Sequence, residues 1–214
     1  PSDEPSRILR RASRPNPLNG GNNMSNRKIR LGIVGAGNVT VTHYGPRFNA
    51  LDGVELAGVV NRTRESSEQA ARELGIPTVY DDWTDLMEDP NIDAVHIGTW
   101  PYMHSTLAVE ALDHDKHVLT QARMASSAAE AREMLDASLR NPHLVAQVVP
   151  GSMLPRNYMT RLIEMVAGGE IGEVLSVDFT VRKGFADAGA DMAWREDRDL
   201  SGFNILMLAA RYES

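Results

Sequence analysis

From Lys28 onward, short apolar runs alternate with longer segments of helical period. The runs are Ile29 to Val34, Val54 to Val60, Ala94 to Ile97, His117 to Leu119 and Leu144 to Val149. Near-continuous apolarity over such short runs suits parallel strands covered on both faces. Between them, Ser105 to Asp113 sets Leu107, Ala108, Ala111 and Leu112 on one helical face, and a later segment does the same with Ala128, Ala131, Leu135 and Leu139. The pattern predicts βαβ units with crossover helices, hence an α/β chain built on a doubly wound parallel sheet. Ser127 and Glu130 have capping-box spacing, so each side chain can satisfy an otherwise unpaired amide of the first helical turn.

The first strand runs into Gly35-Ala36-Gly37-Asn38-Val39-Thr40, followed by a helix-compatible segment through Asn49. At a first strand-to-helix junction this spacing predicts a Rossmann phosphate turn. Gly35 makes the tight bend, Gly37 lets the backbone approach a pyrophosphate, and the amides of Asn38 and Val39 open the helix. Thr40 stands where a third glycine often stands. The end of the second strand commonly carries an acid for the adenosine ribose of NAD, but here it is Asn61, followed by Arg62, Thr63 and Arg64. A guanidinium beside a hydroxyl suits the extra phosphate of NADP, so NADP is expected ahead of NAD.

Composition narrows the classes. The formal net charge is −7 over 214 residues, with 42% hydrophobic residues and no cysteine. An acidic balance argues against a nucleic-acid binder, which needs a basic surface to displace counterions. No apolar run approaches the roughly 20 residues of a membrane span. Without cysteine there is no disulfide or thiolate-ligated metal, which suits the cytoplasm. The six histidines show no ligand spacing, and His114 and His117 around Asp115 read as a solvated turn. Residues 1–27 are expected to form a disordered tail, rich in Pro, Ser, Asn and Gly, with Met24 where a natural start would fit.

The order of these segments resembles the N-terminal half of the glucose-fructose oxidoreductase, inositol dehydrogenase and rhizopine-catabolism (Gfo/Idh/MocA) oxidoreductase family. The likeness rests on GIVGAGN at 32–38, VVNRTRESSEQAARELGI at 59–76, DDWTDLMEDPNIDAVHIGT at 81–99, PYMHSTLAVEAL, and HVLTQARMASSAAEAREM. It implies an NAD(P)-binding Rossmann domain over 28–150 and the truncated start of an α/β substrate domain over 151–214. The implied activity is that of an NAD(P)-dependent oxidoreductase acting on a sugar-like polyol or its carbonyl product. A small sugar-like substrate is the implied partner, with room for a homo-oligomer in the full-length protein.

The resemblance also assigns residues. Thr99, Trp100 and His104 match the stretch after the fourth strand that packs near the nicotinamide ribose. Gln121-Ala122-Arg123 stands where most catalytic members resemble Glu-Lys-Pro. The lysine that assists proton transfer is therefore Ala122, and Arg123 can bind an anion but is a poor base. Gln121 and Arg123 join the expected cofactor contacts. A helix over 157–167 and a strand over Gly172 to Lys183 lead to Trp194 through Gly202, the family's approach to its catalytic helix. There Leu208 falls on the usual Asp position and Tyr212 on the usual His position, leaving Tyr212 as the candidate catalytic residue. These losses open two alternatives: a catalytically impaired nucleotide-binding sensor, or a lyase or hydrolase that recycles its cofactor.

Overall fold

A computed structural model describes residues 27–149, 156–176 and 197–201. Six parallel strands form one sheet in the order β3-β2-β1-β4-β5-β6. They are β1 (Ile29–Val34), β2 (Val54–Val60), β3 (Thr78–Val79), β4 (Ala94–Ile97), β5 (His117–Gln121) and β6 (Ala146–Val149). The helices are α1 (Gly45–Asn49), α2 (Arg64–Leu74), α3 (Trp83–Glu88), α4 (His104–Asp113), α5 (Ala128–Arg140), α6 (Arg156–Ala167) and α7 (Arg198–Ser201). The strand order reverses between β1 and β4, which opens a crevice beyond their carboxyl ends where open α/β sheets take their ligands.

Each face of the sheet carries its own core. Leu31, Ile33, Leu56 and Val59 pack on Ala70, Ala71 and Leu74 of α2. Val34, Val95, Ile97 and Val118 pack on Leu86 and Met87 of α3 and on Leu107, Ala111 and Leu112 of α4. This double coverage explains why the strands read as unbroken apolar runs. At the amino ends, Asp93 Oδ2 accepts bonds from the Arg30 amide at 2.9 Å and from Arg30 Nε at 3.0 Å, tying β4 to β1.

Several expectations change. The α5 face meeting the core is set by Met134 and Ala137, 8% and 0% exposed, whereas Leu135 and Leu139 are 54% and 49% exposed. The stripe through Ala131, Leu135 and Leu139 therefore runs along the edge of that face, where Ala131 and Leu135 border a groove with Val118, Ala146 and Val148. The capping pair is also displaced: Ser127 Oγ accepts from the Glu130 amide, but Glu130 Oε2 accepts from the Ser126 amide at 2.8 Å. Pairing of Gln121 with Val149 carries β5 to Gln121, and pairing of Ala146 with Val118 starts β6 at Ala146. The helix over 157–167 is present, but residues 172–176 of the expected long strand form no strand, and its remainder lies outside the described residues. So do the tail over 1–26, Trp194, Leu208 and Tyr212.

Candidate functional site

The β1 end bends at Gly35, whose φ is +87° and whose missing Cβ would stand 2.6 Å from the Thr99 amide nitrogen. Only glycine meets both demands. Gly98 closes the same contact from β4, since a Cβ there would lie 2.5 Å from the Gly35 carbonyl. Nothing lies within 4 Å of the corresponding position at Gly37, so the turn leaves open space where a pyrophosphate would approach. The chain then enters a π-helical turn, Thr40–Tyr44, before α1. Tyr44 and Phe48 pack their rings on His96 of β4, at 5.3 and 5.2 Å between centroids, which holds this irregular entry against the sheet.

Thr40 is buried and anchors the turn. Its hydroxyl lies 3.4 Å from the Gly35 carbonyl and accepts a 3.2 Å bond from Gln121 Nε2, which also reaches His96 Nε2 at 3.2 Å. His96 is fully buried, and that burial pushes its pKa down to about 4, so its ring accepts as a neutral imidazole. Gln121 thus braces the turn from behind. Asn61 braces it from the other side: Oδ1 accepts from the Ala36 amide at 2.6 Å while Nδ2 donates to the Ser66 carbonyl at 3.0 Å.

A cavity of about 360 Å³ opens over this turn, lined by Gly35, Ala36, Gly37, Asn61, Arg62, Thr63, Ser66, Gly98, Thr99, Trp100 and Tyr102. Arg62 lies over the Trp100 ring with its guanidinium carbon 5.6 Å from the centroid. Arg64 turns away, bound to Glu68 and Asp81, so Arg62 is the cation of this pair at the cavity. Thr63 caps α2 by accepting from the Ser66 amide. A neighbouring cavity, about 370 Å³, includes Asn38, Thr42, Gln69 and Glu73.

The expected contacts therefore divide. Gly35, Gly37, Asn61, Arg62, Thr99 and Trp100 share the first cavity, and Asn38 lines the second. Val39 is exposed beside them. His104 stands behind the wall, 1% exposed, with Nδ1 2.5 Å from the Arg123 carbonyl and Nε2 3.0 Å from the Thr99 carbonyl. Burial lowers its pKa and keeps it neutral, with one N–H between two acceptors. Ser66 and Tyr102 lie in segments that the sequence singles out but are not among the expected contacts. Ser66 follows the Thr63 cap by three residues, a signal the sequence contains, whereas Tyr102 reaches the cavity only through the turn Pro101–Met103. The residues fit a dinucleotide: an open glycine turn for the pyrophosphate, a cation at Arg62 for the adenosine end, and the Thr99-Trp100 wall along the same cavity. Among the described residues no group of three or more His, Asp or Glu side chains could hold a metal.

The family described as an oxidoreductase family with an NAD-binding Rossmann fold matches residues 29–148. The chain is 31% identical over 121 residues to inositol 2-dehydrogenase/D-chiro-inositol 3-dehydrogenase of Lacticaseibacillus casei, covering 56% of this chain and 35% of that protein. It is 28% identical over 191 residues to dTDP-3,4-didehydro-2,6-dideoxy-alpha-D-glucose 3-reductase of Streptomyces violaceoruber, covering 85% and 52%. The solved structure of myo-inositol 2-dehydrogenase from Lactobacillus plantarum matches with a TM-score of 0.61 at 25% identity, covering 69% of this chain and 43% of that one. The chain spans about half the length, or less, of these relatives.

Proposed function

Because the chain belongs to the Gfo/Idh/MocA oxidoreductase family, we propose that it is the cofactor-binding half of an NAD(P)-dependent oxidoreductase acting on a sugar-like polyol or its carbonyl product. The observation that carries this reading is the cavity joining the Gly35-to-Gly37 turn, the Asn61-Arg62-Thr63 strand end and the Thr99-Trp100 wall. When bound, a nicotinamide cofactor gives or takes a hydride at its ring. The chain's own work is positional. The glycine turn receives the pyrophosphate, Asn61 and Gln121 hold that turn rigid, and Arg62 meets the ribose end, favouring NADP. Thr99 and Trp100 wall the path towards the nicotinamide side of the crevice. With Ala122 at the lysine position, the remaining candidate for moving the hydroxyl proton is Tyr212.

Ala122 also supports a second reading, a sensor that binds the nucleotide without turnover. Anaerobic stopped-flow absorbance on the full-length protein with NADP and a polyol panel separates the two. Net NADPH formation supports the dehydrogenase. Tight nucleotide binding with no absorbance change for any polyol supports the sensor, and no binding of NAD or NADP by a folded sample refutes both.

A further inference from the structure

Arg62 follows β2 and Trp100 follows β4, the two strands that flank β1 in the sheet. Their contact therefore bridges the crevice across the glycine turn, with the guanidinium carbon 5.6 Å from the ring centroid. Arg62 is exposed, and among the described residues it makes no ion pair or hydrogen bond. The indole is what orients its charge.

The polar side chains beside it are engaged elsewhere. Arg64 is held by Glu68 and Asp81. Thr63 Oγ1 donates to Ser66 Oγ at 3.1 Å, and Ser66 Oγ donates to the Thr63 carbonyl at 2.9 Å, so both hydroxyl protons are used within the first turn of α2. Among these four residues, only Arg62 keeps its side-chain donors for an incoming phosphate. A long exposed side chain gives up rotamer freedom when it grips a ligand, and that cost falls when the pose is set beforehand.

Trp100 is mounted to set it. The following Pro101 favours an extended backbone at Trp100, which has φ −74° and ψ 152°. The Trp100 carbonyl accepts from Thr99 Oγ1 at 3.2 Å and from the Met103 amide at 3.1 Å, which fixes the turn that carries the ring. Among aromatic side chains, tryptophan attracts a cation to its face most strongly. The N–H donors of a guanidinium lie in its plane, so one resting on an indole still offers an edge to two phosphate oxygens. We propose that Trp100 is a positioning residue for cofactor choice: its ring holds the Arg62 guanidinium over the cavity, ready for the 2′-phosphate of NADP. This deepens the NADP reading of the proposed function and rests on it.

The test is calorimetry on the full-length protein with 2′,5′-ADP and 5′-AMP, the adenosine ends of NADP and NAD. Wild type should favour 2′,5′-ADP at least about tenfold. Trp100→Leu should reduce that ratio about two- to fivefold by weakening 2′,5′-ADP, and Trp100→Phe should restore most of it. In an Arg62→Ala background, Trp100→Leu should change the ratio no further, because the ring acts through the guanidinium. Should Trp100→Leu not fold, Trp100→Met removes the ring while keeping its bulk and carries the same expectation. The proposal is overturned if a folded variant without the ring keeps the wild-type ratio, or if the ratio falls as much when Arg62 is already absent. Equal weakening of both ligands overturns it as well and assigns the ring to the adenine. A wild-type protein with no preference for 2′,5′-ADP removes the NADP assignment and this inference with it. A folded protein that binds neither fragment, nor NAD or NADP, refutes the oxidoreductase reading itself, whereas a preference that Arg62→Ala abolishes and Trp100→Leu leaves intact removes only the role of Trp100.

Discussion

Gly35 and Gly37 stand two residues apart in the same turn and answer to different constraints. Gly35 has a positive φ and backbone against it, so Gly35→Ala should destabilise the fold on the order of 1–3 kcal/mol and distort the turn. Gly37 faces empty space, so Gly37→Val should leave the melting temperature nearly unchanged while removing nucleotide binding. Thermal melting beside a nucleotide titration checks both outcomes. If Gly37→Val binds as wild type does, the turn is not the pyrophosphate site. Arg62 supplies the second residue-scale test. A charge-assisted bond to the NADP phosphate contributes on the order of 1.5–3 kcal/mol, roughly a tenfold or larger preference over NAD. Arg62→Ala should collapse the ratio of the two dissociation constants, and an unchanged ratio would refute the assignment.

Among the elements, β1 and β4 are joined by the Arg30–Asp93 pair, reinforced by Arg27. The Arg30 hydrogen bond pulls the Asp93 carboxyl down to about 2 from its ordinary value near ~3.9. A depressed folded-state pKa means that this stabilisation is fully present above about pH 4 and is lost as pH falls towards 2. Asp93→Asn should therefore lower the melting temperature at pH 7 and flatten its decline between pH 4 and 2. A parallel acid limb in the variant would show that the pair contributes nothing. The helices differ in a way their sequences share only partly. Leu107 in α4 is fully buried while Leu139 in α5 is half exposed. Leu107→Ala should cost about 2–5 kcal/mol. Leu139→Ala should stay within about 0.5 kcal/mol, as measured by denaturant unfolding.

For the whole molecule, the chain spans about half the length of its curated relatives or less, and its chemistry is a proposal. Tyr212, which the resemblance puts at the family's histidine position, is proposed as the proton donor. An ordinary tyrosine has a pKa near ~10 and needs a neighbouring cation to act as a base at neutral pH. In the full-length protein, Tyr212→Phe should slow single-turnover hydride transfer and shift its pH profile while cofactor affinity is retained. An unchanged rate and profile would exclude Tyr212 as the proton donor.

The unbroken apolar runs of β1, β2 and β4 were legible in the sequence to the residue, because strands covered on both faces need no partner to declare their pattern. The same holds for the glycine turn and for the α4 face, whose local spacing follows the backbone geometry that it serves. The two-residue strand β3 carries too little pattern to be seen. Which face of α5 is buried depended on where β5 and β6 lie, and two stripes of similar apolarity compete on that helix. Asn61 reads as a missing acid in the sequence, and only the fold shows both ends of its amide bound to the phosphate turn and α2. Arg123 shows the same division. Sequence identifies a cation that cannot act as a base, while its burial and lack of a partner arise from long-range packing that no local spacing encodes.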